Sequence, residues 1–309
     1  MDATELSFGV VILLQFSIGV SVNGFLLLFY SCKFCASHKL SSSDLILAHL
    51  ALGNTIIFLT GGILETVSAW GLRNFLDDVG CKILMYLYRV ARGLAICTTC
   101  LLSIFQAITI SPSNSWWAGV KTKLPRCLLP FCLLSWIFNM LIDIDILMNT
   151  TGPKNRSSVQ IPLYLKYCSS ISISAKATLM IAIVHSLWDL FFVGLMSMAS
   201  GYMVFVLARH HRRVQHLHQP SSSPRAMPEV RAAKRVIALV MLYVLLYGRQ
   251  TVMLSIILNM KEKSLLLVNS HMVLAFTFSA VSPFLVIHSD KRVKTLWKRK
   301  SSVSNTNPS

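Results

Sequence analysis

The chain has 309 residues, of which 54% are hydrophobic and 13% charged, against ~25% charged in an ordinary soluble domain. A mean hydropathy of +0.61 excludes a water-soluble enzyme or binding module, because too little polar surface remains to cover such a core. The formal charge of +17 suggests nucleic acid only until the lysines and arginines are placed relative to the apolar runs.

Uncharged stretches locate the predicted elements, since a charge at the bilayer centre costs about 2.5–3.5 kcal/mol on insertion scales. In chain order they predict helices over about 6–32, 44–66, 81–110, 125–148, 176–208, 235–260 and 264–289, then a short cytoplasmic tail over 290–309. Each reaches or exceeds the ~20 residues a helix needs to cross; barrel strands would alternate and be about half as long. The expected fold is an all-α membrane protein, residues 1–309 forming a single seven-helix bundle. The first span reads as a retained helix: its uncharged run from Leu6 to Cys32 is too long for a signal peptide, and only Asp2 and Glu5 precede it.

Orientation follows from the loops. Eighteen of the 29 lysines and arginines fall on the side of the odd-numbered connections and the tail, 8 on the other, and 3 within spans. The positive-inside rule makes the richer side cytoplasmic and the N-terminus extracellular. The basic excess is then topological, with membrane lipid as a secondary partner, and no nucleic acid is needed. Both N-x-Ser/Thr sequons, at Asn149 and Asn155, fall in one extracellular loop and are expected glycosylation sites. Of the eight cysteines only Cys81 and Cys168 lie in extracellular segments, so a disulfide between them is expected, the alternative being two free thiols. Cys97 and Cys100 read as buried small apolar residues, since no second pair stands at zinc spacing.

Six ionisable residues interrupt the spans: Arg89, Arg92, Asp143, Asp145, Asp189 and Arg249. Counted from Cys81, Arg89 lies about 12 Å and Arg92 about 16 Å into the membrane. With Glu65 and His185, these groups occupy the outer half, which describes a polar pocket open to the outside and closed below rather than a conduction path. Several pairings compete with ligand contact. Asp189 and Arg249 are at matching depth and could pair, while Arg89 or Arg92 could pair with Asp143 or snorkel. On a continuous helix Asp143 and Asp145 stand about 200° apart and cannot share a face.

Span seven has no lysine for a retinal Schiff base, which excludes that class. A transporter is disfavoured by the odd span count and the absence of internal repeats. The histidines show no metal spacing, so neither an enzyme nor a metal site is expected, and no cofactor is implied. What remains is a signalling receptor whose two states are read by basic inner loops.

Asn23, Leu50-Ala51 before Asn54, Cys81, Trp136 and Pro283 resemble the rhodopsin-like G-protein-coupled receptor plan. The foot of helix three departs from it: Phe105-Gln106-Ala107 replaces the acidic-Arg-aromatic tripeptide. The strings His38-Lys39-Leu40, Ser43-Asp44-Leu45-Ile46-Leu47, Gln106-Ala107-Ile108-Thr109-Ile110-Ser111-Pro112, Leu207-Ala208-Arg209-His210, Val214-Gln215-His216, Ser282-Pro283-Phe284 and His288-Ser289-Asp290 resemble the vomeronasal type-1 receptor family over nearly the whole chain. That resemblance implies a multi-pass chemosensory receptor of the plasma membrane that detects small, pheromone-like molecules and couples to an inhibitory-class heterotrimeric G protein. A bitter-taste-like receptor is the nearest alternative.

The candidate ligand-binding residues are Arg89, Arg92, Tyr88, His185, Asp189 and Arg249. The candidate G-protein contacts are Gln106 at the foot of helix three and Arg231, Lys234 and Arg235 in the third cytoplasmic loop, spanning Arg209 to Arg235; attraction to anionic lipid is the competing role for that loop. With three arginines against Asp189 in the pocket, one guanidinium is expected to stay unpaired by protein, which favours a neutral or anionic ligand.

Overall fold

The computed structural model describes residues 3–37, 41–72, 75–112, 118–152, 168–170, 175–216, 226–259 and 265–289. Helix α1 covers Ala3–Ser37. Helix α2, Ser42–Ile57, runs through a π-helical turn at Phe58–Gly62 into α3, Ile63–Ala69. Then come α4, Asp78–Ile110, and α5, Ala118–Ile142, followed by the short α6, Asp145–Asn149. The two-residue strands β1, Thr150–Thr151, and β2, Ser169–Ser170, pair antiparallel. Helices α7, Ala175–His216, α8, Ala226–Asn259, and α9, Leu265–Ser289, complete the bundle. Among the described residues six helical segments are long and apolar enough to cross a membrane: Leu6–Ala36, Ser42–Ala69, Asp78–Ile110, Gly119–Asn149, Ile183–Arg209 and Leu266–His288.

Helix α4 is the central post, packed against α2, α5, α7 and α8, while α1 lies against α2 and α9. The outward faces of α1, α5 and α7 leave Leu14, Leu28, Leu133, Ile137, Leu187, Leu190 and Phe205 exposed. Water would not tolerate so extensive an apolar surface, whereas lipid covers it without cost. The α1–α2 corner is fixed locally: Ser41 and Asp44 form a capping box, and Lys33 pairs with Asp44.

Buried polar groups tie the helices together. Asn54 Nδ2 donates to Asn23 Oδ1 at 3.2 Å and to Ser282 Oγ at 3.0 Å. Asn23 Nδ2 in turn donates to the Ser279 carbonyl at 3.0 Å, so α1, α2 and α9 share one polar knot. Hydrogen bonds between membrane helices average about 0.6 kcal/mol and reach about 1.7. Asn54→Ala should therefore lower the thermal stability of the solubilised receptor by an amount in that range, measurable as a shift in Tm, without preventing assembly.

The structure corrects two local expectations. Residues 209–235 are not mainly loop: α7 continues to His216 and α8 begins at Ala226, because arginines that cannot enter lipid can still extend a helix into water. The helix of span four is also not continuous. It breaks at a turn over Asp143 and Ile144 before α6, which voids the 200° separation expected for Asp143 and Asp145.

Candidate ligand-binding site

The outer end of the bundle is built on α4. Asp77 caps the helix, accepting a hydrogen bond from the Gly80 amide at 2.8 Å. In its first turn Cys81 is disulfide-bonded to Cys168. Beside Cys168 the β1–β2 pair forms, and the Gly152 amide donates to Asp78 Oδ1 at 2.6 Å. The segment carrying Cys168 is thereby fastened to the N-terminal end of α4. Of the two sequons, Asn149 closes α6, and Asn155 lies outside the described residues.

Below this attachment the arginines of α4 find carboxylates. Arg89 Nε donates to Asp143 Oδ1 at 3.3 Å, and His185 Nε2 lies 3.0 Å from the same oxygen. One turn deeper, Arg92 Nη2 donates to Asp189 Oδ2 at 2.9 Å. The partner of Asp189 is therefore Arg92 and not Arg249. The sequence does not give azimuth: α7 packs more extensively on α4 than on α8, and Arg249 stands on an exposed face of α8.

Around Arg92 the structure gathers the candidate Tyr88 together with groups that sequence reasoning missed. Tyr88, Tyr243 and Tyr247 are its electrostatic neighbours, and His271 of α9 is also within electrostatic reach of it. Tyr243 and Tyr247 stack with ring centroids 5.9 Å apart, as expected of an i, i+4 pair on one helix face. His271 Nδ1 and Trp188 Nε1 are buried without hydrogen-bond partners among the described residues. In sequence Tyr243 and Tyr247 look like aromatic core, and only the unpaired ring nitrogens of His271 and Trp188 point to anything else. Tyr88 is held more firmly by packing: its ring lies 6.0 Å from that of Phe276 and lies over Gly61, where an added Cβ would come within 2.5 Å of it.

At the opposite end of α4 polar side chains hold neighbouring helices together. Gln106 is buried and its Nε2 donates to Ser43 Oγ at 3.3 Å. Ser111 Oγ and Tyr202 OH share a hydrogen bond at 3.0 Å. The Gln106–Pro112 string thus ties the foot of α4 to α2 and α7. Arg231 and Lys234 are exposed. Arg235 is buried, and its Nε has no hydrogen-bond partner among the described residues.

Membrane-length helices joined by partly buried ion pairs and a disulfide-fastened loop define a multi-pass helical membrane protein. The chain belongs to the vomeronasal organ pheromone receptor family, whose family profile matches residues 6–299. It is 37% identical over 291 residues to human (Homo sapiens) vomeronasal type-1 receptor 4, covering 93% of this chain and 97% of that one. It is 36% identical over 298 residues to human vomeronasal type-1 receptor 3, covering 96% and 95%. To olfactory receptor class A-like protein 1 of Danio rerio it is 34% identical over 295 residues, covering 95% and 92%. These are families of receptors, in keeping with the expectation of a receptor rather than an enzyme.

Proposed function

We propose that the chain is a chemosensory receptor of the plasma membrane, a single domain of seven spans with its N-terminus outside and its C-terminus in the cytoplasm. It takes a small, pheromone-like organic molecule at the outer polar cluster and activates an inhibitory-class heterotrimeric G protein. The observation that carries this reading is the vertical asymmetry: Arg92, Asp189, Tyr243, Tyr247 and His271 cluster in the outer part of the bundle, over a closed foot whose exposed groups include Arg231 and Lys234. Such an arrangement suits a molecule that arrives from outside and is sensed, not passed through. The names of the relatives support the same role.

The ion pairs refine the ligand class. Arg89 pairs with Asp143 and Arg92 with Asp189, and Arg249 stands on an exposed face of α8, so neither guanidinium at the polar cluster is left over for an anion. Phenols and the His271 imidazole offer hydrogen bonds without net charge, which favours a neutral ligand with a carbonyl or hydroxyl group. Cells expressing the receptor, challenged with a panel of neutral, anionic and amine compounds, should lower cyclic AMP in response to neutral members. ADP-ribosylation of the inhibitory-class α subunit should block that response. A best agonist that is an amine, or uptake of a compound independent of any G protein, would contradict the reading.

The foot separates two roles that the sequence had grouped. Arg231→Gln with Lys234→Gln should cut G-protein activation several-fold at unchanged surface level and ligand affinity, since both side chains stand in solvent on the G-protein side. Unchanged signalling would instead assign them to anionic lipid. Gln106 and Arg235 become accessible only as the feet of α4 and α8 part, and replacing Arg235 by Met should favour the closed state and lower basal signalling.

A further inference from the structure

The turn that interrupts span four has a chemical consequence. It brings a carboxylate oxygen of Asp143, one of Asp145 and a ring nitrogen of His185 within 4.8 Å of one another. Asp143 is buried, and the other two are partly exposed. The donors come from two elements, the broken end of span four and the outer part of α7, and they lie toward the extracellular side of Arg92 and Asp189.

The hydrogen bonds of His185 make this more than a coincidence of position. Its Nδ1 lies 2.9 Å from the Ile181 carbonyl oxygen, which can only accept, so Nδ1 carries the proton. In the neutral ring Nε2 is then a lone pair, and it points at Asp143 Oδ1 3.0 Å away, which is also an acceptor. Two acceptors cannot rest against each other without a cation. A proton on Nε2 would satisfy that contact alone. A divalent ion would in addition engage Asp145, whose Oδ1 is buried without a hydrogen-bond partner among the described residues.

We propose that Asp143, Asp145 and His185 form an extracellular-side binding site for a divalent transition-metal ion, best fitted to Zn2+. An imidazole nitrogen with two carboxylates suits a borderline ion rather than Ca2+ or Mg2+, which take oxygen donors in larger number. Three protein ligands leave a fourth position for water. The Nδ1–H to carbonyl bond is the support that metal-bound imidazoles show almost without exception, fixing tautomer and ring orientation. Asp143 keeps its bond to Arg89, because a carboxylate offers about four acceptor directions. The ion braces the broken end of span four against α7, and extracellular Zn2+ thereby stabilises one arrangement of the outer bundle. This site does not depend on which organic ligand the receptor binds.

The experiment uses the full-length receptor in lipid nanodiscs with Zn2+ alone as the probe. Binding is followed by titration calorimetry and by the rise in Tm, and Co2+ is substituted to read the visible absorption of a tetrahedral site. The parent should bind saturably with a Tm that rises with Zn2+. Asp145→Asn and His185→Gln should each weaken that component by at least the 10- to 100-fold that even outer-shell changes cost. Asp145→Asn is the cleaner variant, because Arg89 and His185 contact Asp143 rather than Asp145. Binding by the histidines of the cytoplasmic side, His210, His211, His216 and His218, stays constant across these variants and is read as the component they share. Equal Zn2+ affinity and equal Tm shift in the parent and both variants would overturn the proposal, as would a Tm that responds to pH at this site but not to Zn2+.

Discussion

Asp189→Leu alone should destabilise the receptor by about 3 kcal/mol, and Arg92→Leu by a comparable amount, whereas the double substitution should recover most of the loss. Breaking a buried pair leaves an uncompensated charge and costs about 3–5 kcal/mol, while replacing both members with apolar groups is often neutral. The low end applies here because the side chain of Arg92 retains 31% exposure within the protein. Thermal melts of the solubilised proteins, arranged as a double-mutant cycle, measure the coupling. Additive losses would mean that the two residues act separately. The same cycle on Arg249 and Asp189 should show no coupling, since Arg249 lies on an exposed face.

Losing the disulfide should have an effect of similar size. Cys81 and Cys168 are 87 residues apart in sequence, and removing a native disulfide typically costs about 2–5 kcal/mol. Cys81→Ser and Cys168→Ser should each reduce surface receptor to the same extent, and the double variant should be no worse, because one bond is lost in all three. Surface labelling of intact cells checks this, and a double variant with summed losses would contradict it. The position of the bond amplifies its effect: the same attachment sets the β1–β2 pair and the contact of Gly152 with Asp78 at the mouth of the site.

The spans were legible because hydropathy is a one-dimensional signal. Six of the seven uncharged stretches coincide with membrane-length helices, and the sixth stretch lies on α8. Spacing along each helix axis was legible too, from rise per residue. Rotation about each helix axis was not, and most misplaced side chains trace to it. Asp189 and Arg249 match in depth but differ in azimuth. Asp143 and Asp145 could not be set relative to each other because a two-residue turn resets the helical phase between them. Tyr243, Tyr247 and His271 went unseen because an aromatic stripe has the same spacing in a core as in a binding site. The buried Gln106 and Arg235 illustrate a further limit, since a polar residue at a helix end reads as solvated whether or not a neighbouring helix covers it.

The most direct test of the account is the agonist concentration–response for G-protein activation by the parent, Tyr247→Phe and His271→Asn at matched surface level. Each removes or alters an uncharged hydrogen-bonding group beside Arg92 without touching either ion pair. The account predicts curves displaced to about tenfold higher agonist concentration, the equivalent of one hydrogen bond of about 1.4 kcal/mol, with the maximal response retained. Superimposed curves for all three proteins would contradict it, because the ligand would then be bound elsewhere than in the outer polar cluster.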